Sequence, residues 1–195
     1  MSNFRFSSLV NCLRFDDSTT RAEHLKEDQL APISNFFNKF VLNGQFQYTP
    51  GPYLCIDEMP QKPAKYGIKI MLLVDARTYY IYNAYIYHGK NSDGIGLNEQ
   101  ERKLAALTQS VVRLVKVVEN SKRNITADNW FSYIPLMEAL LKERLTYIGT
   151  LKKNKVEIPS SFLPCKTREV GSSMYGFTKE YTLLSYVPKK IKLFC

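Results

Sequence analysis

Short apolar runs, each a strand in length, occupy the middle of the chain. The first run, Tyr53–Glu58, and a later one, Asn124–Asp128, both stop on acidic residues. Between them, Lys65–Val74 and Tyr79–His88 are rich in Ile, Val, Leu and Tyr, and the polar stretch Asp75–Thr78 separates them as a turn. The pattern therefore predicts three antiparallel strands in a row, followed later by a fourth strand.

Other stretches carry apolar residues at helical spacing. One begins after Pro32 and stops at Asn43-Gly44, and we expect its apolar stripe to lie in the core. The stripe consists of Ile33, Phe36, Phe37, Phe40 and Val41. A second helix is predicted over Leu104–Val118, after a capping pair formed by Asn98 and Glu101. This helix would carry the chain across the sheet to the fourth strand.

A further helix and strand complete the pattern. Ser132–Arg144 predicts a helix, and Thr146–Leu151 predicts a fifth strand. The inward side chains of this helix are expected to be Ile134, Met137, Leu140 and Leu141. The order β-β-β-α-β-α-β predicts an α/β protein with a mixed sheet of the ribonuclease H-like type.

Two carboxylates end neighbouring strands of this predicted sheet. If Tyr53–Glu58 and Asn124–Asp128 pair in parallel, Asp57 and Asp128 come to the same edge, where open α/β sheets bind their ligands. Carboxylate oxygens suit Mg²⁺, and Mn²⁺ accepts the same ligands. The alternative is that each aspartate only caps the structure that follows it.

The chain divides into three predicted parts. Residues 1–48 form a helical N-terminal segment, in which Phe4–Phe15 is a short helix or an edge segment. Residues 49–151 form the core with the two acids. Residues 152–195 are punctuated by Pro and Gly and form a basic, β-rich addition, in which Tyr181–Val187 is a strand.

Composition and charge add a partner to this picture. The 195 residues are 45% hydrophobic and 13% aromatic, which is typical of one packed globular core. The net charge is +9, and residues 150–195 hold nine Lys or Arg against three Glu. This excess indicates a polyanionic partner, although a basic face is also often only solvated. The candidate residues for contacts with this partner are Lys152, Lys153, Lys155, Lys189, Lys190 and Lys192.

The cysteines bear on whether the chain has a zinc site, and the apolar runs bear on where in the cell the protein is found. The four cysteines lie far apart with no C-x-x-C pair, and the chain has two histidines, so we expect no structural zinc site. No apolar run reaches membrane-spanning length and no leader opens the sequence, which indicates a nuclear or cytoplasmic protein without membrane contact.

Several stretches, in one order along nearly the whole chain, resemble the piggyBac family of transposases and their domesticated descendants. They are Leu13–Asp17, Asp28–Ile33, Tyr53–Glu58, Lys62–Lys69, Asn124–Phe131 and Gly149–Lys155. The resemblance implies a DNA cut-and-paste enzyme with a ribonuclease H-like catalytic domain, a divalent metal and three essential aspartates. Asp57 matches the first of them and Asp128 the second.

The chain also departs from the family pattern. The third aspartate follows the β-rich insertion in the family, and no residue here matches it. The segment after Glu58 is short, and the cysteine-rich zinc-binding tail has no counterpart. Among possible substitutes, Asp75 is expected about 30 Å away along the hairpin, Glu58 on the opposite face of its strand, and Glu138 on a helix of unknown orientation.

The resemblance therefore implies an inactive piggyBac-derived protein with residual DNA binding. One alternative is an active enzyme completed by a partner chain, with homodimer formation left open. Another is a protein-interaction module or a remnant without an enzymatic role. Its contact residues would be the hairpin tyrosines Tyr79, Tyr80, Tyr82, Tyr85 and Tyr87.

Overall fold

The computed structural model describes residues 2–59, 69–89, 92–163, 165 and 167–188. The α-helices are α1 (Asn3–Cys12), α2 (Arg21–Glu27), α3 (Ala31–Gln47), α4 (Ala106–Val115) and α5 (Ile134–Lys142). The strands are β1 (Tyr53–Glu58), β2 (Lys69–Asp75), β3 (Ile81–Tyr87), β4 (Asn124–Ala127), β5 (Thr146–Gly149), β6 (Ser173–Phe177) and β7 (Thr182–Tyr186). The chain forms two compact units, Met1–Thr150 and Leu151–Cys195. The predicted boundary between residues 48 and 49 stays a prediction.

The first unit is built on a five-stranded mixed sheet in the order β3-β2-β1-β4-β5. β1 pairs antiparallel with β2 and parallel with β4, and β4 pairs parallel with β5. The predicted order β-β-β-α-β-α-β is therefore confirmed. β3 begins at Ile81 because Tyr79 takes a left-handed backbone, with φ of 59°, to close the turn. Residues 65–68 of the predicted second strand lie outside the described residues.

The core lies on one face of this sheet, beneath α4 and α5. Alternation along β1 and β4 turns Leu54 and Ile125 toward the helices, and both are fully buried. Among the expected inward residues of α5, Leu140 is buried but Leu141 is 45% exposed. Leu136 takes that inward place, because it lies four residues before Leu140 and therefore on the same side of the helix.

The apolar stripe of α3 does not form core, so that expectation is wrong. No residue of α3 is buried, and Phe40 is 64% exposed. The helix also continues through Gly44 to Gln47, because its last turns pack on β3. The Tyr80 hydroxyl donates a hydrogen bond of 3.0 Å to the Gly44 carbonyl, and a Cβ on Gly44 would lie 3.2 Å from that hydroxyl.

The capping pair before α4 exists, but it opens a different element. The Asn98 amide donates to the Glu101 carboxylate at 2.7 Å, and the Glu101 amide donates to the Asn98 side chain at 2.8 Å. This box begins a 3₁₀ turn, Glu101–Lys103, and α4 starts only at Ala106. The helix ends at Val115 and continues as a 3₁₀ turn through Val118.

The hairpin tyrosines mostly serve the fold. Tyr85 is 4% exposed, and Tyr80 stacks on Tyr48 with ring centroids 4.2 Å apart. Tyr82 and Tyr87 pack against the core, which leaves Tyr79 as the exposed member at 81%. The hairpin therefore offers little of the aromatic surface that an interaction module would use.

The second unit contains the antiparallel pair β6–β7. β7 confirms the strand predicted over Tyr181–Val187. None of the helices within the described residues combines the length and apolar character needed to span a membrane.

Candidate metal and DNA site

Asp57 and Asp128 lie side by side at one edge of the sheet. The parallel register pairs Cys55 with Thr126 and Ile56 with Ala127, so the two aspartates come next on their respective strands. Both are exposed and continue the face of Cys55 and Thr126, opposite to the core. Neighbouring strands are about 5 Å apart, so the backbones of the two aspartates lie next to each other at the ends of β1 and β4.

Each carboxylate uses one oxygen in a local hydrogen bond. Oδ1 of Asp57 accepts from the Glu58 amide at 2.7 Å, and Oδ1 of Asp128 accepts from the Trp130 amide at 2.8 Å. Among the described residues, neither second oxygen accepts a hydrogen bond. Asp128 does not cap α5, because that helix begins at Ile134 with Tyr133 as its N-cap residue. The Oδ1 bond of Asp128 instead caps the turn that follows β4, so a local capping role for one oxygen of Asp128 stays open beside a metal role for the other.

This arrangement fits one divalent cation better than two. Mg²⁺ takes oxygen ligands and is often held by one or two carboxylates with waters completing the shell. A cation held by Asp57 and Asp128 would polarise a phosphate oxygen or activate a water. The two-metal route to phosphodiester cleavage uses ions about 3.5–4 Å apart, and further carboxylates would be needed to bridge and flank both.

Glu58 does not supply that ligand. It follows Asp57 on β1 and turns to the opposite, core-side face, as expected from strand alternation. There its carboxylate forms an ion pair with the Lys69 ammonium. The Glu58 carboxylate is therefore bound to Lys69 of β2 and faces away from Asp57.

Asp75 is also excluded, although for a different reason than expected. It pairs with Leu54, three residues from Asp57 along β1, which is about 10 Å and not about 30 Å. It shares the core-side face of Leu54, it is 2% exposed, and four donors surround its carboxylate. These donors are the amides of Gly51 at 2.7 Å, Arg77 at 2.8 Å and Thr78 at 3.1 Å, and the hydroxyl of Tyr48 at 3.1 Å. The hydrogen bonds, led by that of Gly51, lower the pKa of Asp75 to about 2.

No third ligand comes from elsewhere in the described structure. Glu138 is exposed on α5. The described part of the chain holds no group of three or more His, Cys, Asp or Glu side chains placed to share an ion. The residues outside the described ranges include no Asp or Glu in their sequence.

Lys69 and Trp130 are neighbours of the site that the sequence analysis missed. The Lys69 ammonium lies 6.0 Å from the centroid of the Trp130 ring and 5.9 Å from that of Tyr87. These distances are within cation–π range. Trp130 is 51% exposed and follows Asp128 by two residues, so an aromatic residue lies next to the second acid, and the ammonium that pairs with Glu58 lies beside its ring. The presence of the chain's one Trp after Asp128 was the available signal.

The candidate DNA-binding lysines divide between described and undescribed segments. Lys152, Lys153 and Lys155 follow β5 in the second unit, and the Lys153 side chain is exposed. Lys189, Lys190 and Lys192 lie outside the described residues. The DNA-binding role of all six stays a prediction.

A mixed sheet of this order with paired carboxylates at one strand edge is the architecture of DDE transposases, which generally use a divalent metal. The model of the family described as Transposase IS4 matches residues 1–195, so the chain belongs to that family.

Within it, the chain is similar to the piggyBac transposase in a cryo-EM structure of its synaptic complex with hairpin DNA. The two share 38% sequence identity with a TM-score of 0.80, over 97% of this chain and 41% of that one. This match confirms the piggyBac resemblance and the ribonuclease H-like fold. The present chain therefore spans about two fifths of that relative's length.

Proposed function

We propose that the chain is a piggyBac-derived DNA-binding domain that holds one divalent cation at Asp57 and Asp128 and, as the 195-residue polypeptide, does not cleave DNA. The observation that carries this proposal is the pair of exposed carboxylates on one face of neighbouring strands, without a third acid beside them in the described structure. Two carboxylates suffice for one hydrated cation but leave the second ion of a two-metal reaction without ligands.

DNA is the partner that the charge supports. The net charge is +9, and residues 150–195 contribute nine basic residues against three acidic ones. The similar piggyBac transposase is in complex with hairpin DNA. Binding through Lys and Arg to phosphates would be largely independent of sequence. A domesticated protein that acts on DNA in the nucleus fits this chemistry.

A second candidate is an active transposase whose site is completed in trans by a partner chain. The observation in its favour is that the second oxygen of both aspartates accepts no hydrogen bond within the described residues and is therefore available to a metal. In this case the partner would contribute the missing carboxylate.

DNA cleavage by the purified chain separates the two candidates. Nicked duplex and hairpin DNA are incubated with the protein in Mg²⁺ or Mn²⁺, beside Asp57→Asn and Asp128→Asn variants. We expect intact DNA in every reaction, because one cation cannot stabilise both the attacking and the leaving oxygen. Cleavage that both substitutions abolish would contradict the proposal and favour the completed enzyme. Cleavage that survives both substitutions would come from a contaminating nuclease.

A further inference from the structure

The β6–β7 hairpin carries an exposed aromatic face. In the antiparallel register Tyr175 lies opposite Leu184 and Ser173 lies opposite Tyr186, which places these residues on one side of the hairpin with Phe177. We call Tyr175, Phe177, Leu184 and Tyr186 the aromatic face. Their exposures are 57%, 73%, 53% and 56%. Three exposed rings on five-residue strands are a concentration that a folded domain does not require for its own stability.

The opposite side of the hairpin is fixed by packing and hydrogen bonds. The Phe162 ring lies so close to Gly176 that a Cβ there would be 2.8 Å from it. The Arg168 guanidinium donates to the Ser185 hydroxyl at 2.7 Å and to the Ser185 carbonyl at 3.0 Å, and that hydroxyl donates to the Phe162 carbonyl at 2.7 Å. One side is thus anchored while the aromatic face is presented outward.

Two rings of the aromatic face are arranged as parallel plates. Tyr175 and Phe177 are two residues apart on β6, their planes differ by 7°, and their centroids are 6.3 Å apart. The two rings are exposed and nearly parallel, so each offers a planar surface on which an unpaired base can stack.

The charge of residues 150–195 indicates which kind of partner fits the aromatic face. The aromatic face belongs to the part of the chain with nine Lys or Arg against three Glu. A positive segment that presents aromatic planes is the combination by which proteins hold single-stranded nucleic acid, since lysines follow the phosphates and rings stack on the bases. In a duplex the bases stack on one another, so their faces are not free to stack on protein rings. Unpaired bases are therefore the ligand that uses both features.

We propose that the aromatic face is a binding site for unpaired DNA bases, with Tyr175 and Phe177 as its principal contacts. This inference rests on the proposed DNA binding and specifies the kind of DNA that the second unit contacts.

The test measures binding of the full chain to three fluorescent DNAs at low salt. The probes are a single-stranded oligothymidine, a base-free deoxyribose-phosphate strand of equal length, and a fully paired duplex. The variants are Tyr175→Ala, Phe177→Ala and the conservative Tyr175→Phe, with Val156→Ala as a matched control because Val156 is 95% exposed in the same unit. Circular dichroism verifies that each variant is folded.

We expect each alanine substitution to weaken oligothymidine binding roughly 5- to 100-fold, as loss of one base–aromatic stack does. Tyr175→Phe and Val156→Ala should leave the affinity within about twofold, and the base-free strand and the duplex should bind all variants alike. Equal affinity of wild type and both alanine variants for oligothymidine would overturn the inference, while binding of the duplex would leave the proposed DNA binding intact.

Two other results would also overturn it. Equal loss of affinity for oligothymidine and for the base-free strand would mean that the rings act on the strand without stacking on bases. A wild-type chain that self-associates through the aromatic face, with the dimer lost in Tyr175→Ala and oligothymidine affinity unchanged, would assign the face to a second copy. Absence of binding to all three DNAs would remove the proposed function itself.

Discussion

Asp75 ties the end of β2 to the turn that precedes β1. Its four hydrogen bonds hold the loop around Gly51 and the turn at Arg77 and Thr78 in place. The carboxylate is stabilised in its charged form, which lowers its pKa from 3.8 to about 2. A depressed carboxyl pKa means that the folded state releases the proton more readily than the unfolded chain. Its contribution to stability is therefore present above about pH 4 and is lost as the pH falls toward 2.

Asp75→Asn is expected to lower the free energy of unfolding at pH 7 by about 2–3 kcal/mol, because the amide can satisfy fewer of the four donors. Of this loss, the pH-dependent part is on the order of 2 kcal/mol, since a carboxyl pKa lowered from 3.8 to about 2 corresponds to about that free energy. Urea denaturation of wild type and variant at pH 7, 4 and 2.5 measures both. Glu180→Gln serves as a control on an exposed acid. A variant as stable as wild type at pH 7 would contradict the structural role of Asp75.

Some single residues of the candidate site could be predicted from the sequence, and others could not. Asp57 and Asp128 could be predicted because each follows an apolar run of strand length, and the parallel pairing then fixes their common edge. Lys69 and Trp130 could not be predicted as neighbours, since their proximity depends on the pairing of β2 with β1 in three dimensions. The expected distance of about 30 Å between Asp75 and Asp57 is wrong because the antiparallel register of β1 and β2 pairs Asp75 with Leu54.

At the scale of elements, α3 shows the limit of periodicity. The apolar spacing after Pro32 correctly predicts a helix, but spacing alone does not say what the apolar side contacts. Phe40 is 64% exposed, whereas the equally spaced Leu114 of α4 is fully buried. The sequence therefore predicted the existence of both helices, and the packing of the sheet decided which one forms the core.

This difference predicts unequal effects of truncation. Phe40→Ala should change the free energy of unfolding by no more than about 0.5–1 kcal/mol, because little of its ring is removed from water by folding. Leu114→Ala should cost about 2–5 kcal/mol through the cavity it leaves. Both are measured by urea denaturation. A larger loss for Phe40→Ala than for Leu114→Ala would show that α3 is buried in solution.

Gly149, at the end of β5, packs against Ser132, which lies between β4 and α5, and this contact leads to a second prediction. A Cβ on Gly149 would clash with the Ser132 hydroxyl oxygen and lie 2.7 Å from the Tyr147 hydroxyl oxygen, and these two hydroxyls hydrogen-bond each other at 2.7 Å. Gly149→Ala should therefore destabilise the fold by about 1–3 kcal/mol.

Removing the Ser132 hydroxyl distinguishes a clash at Gly149 from a general destabilisation of β5. Removing it in Ser132→Ala/Gly149→Ala should recover part of the loss, because the closest clash disappears. A double-mutant cycle in urea measures the coupling between the two positions. Additive effects would mean that the clash at Gly149 does not determine the cost.

At the scale of the whole molecule, charge is spread unevenly along the chain and should control DNA affinity. Neutralising Lys152, Lys153 and Lys155 together as Gln removes three of nine positive residues from the basic segment. We expect weaker duplex binding and a slope of log affinity against log salt that is shallower by up to about 3, at roughly 0.9 per phosphate contact.

A matched variant keeps the total charge change the same. Lys39, Lys103 and Lys142 are exposed lysines of the first unit, and their joint replacement by Gln also reduces the net charge by three. Fluorescence anisotropy between about 50 and 200 mM salt compares the two sets. Equal slopes for the two variants would show that net charge, and not the basic segment, governs binding.

We propose that Asp57 and Asp128 together hold one divalent cation. Titration of the full chain with Mn²⁺, followed by electron paramagnetic resonance of the free ion, measures it most directly. We predict one bound Mn²⁺ per chain, with binding lost in Asp57→Asn and also in Asp128→Asn but retained in Glu138→Gln. Two ions per chain, or one ion whose binding survives both aspartate substitutions, would contradict this assignment of the site.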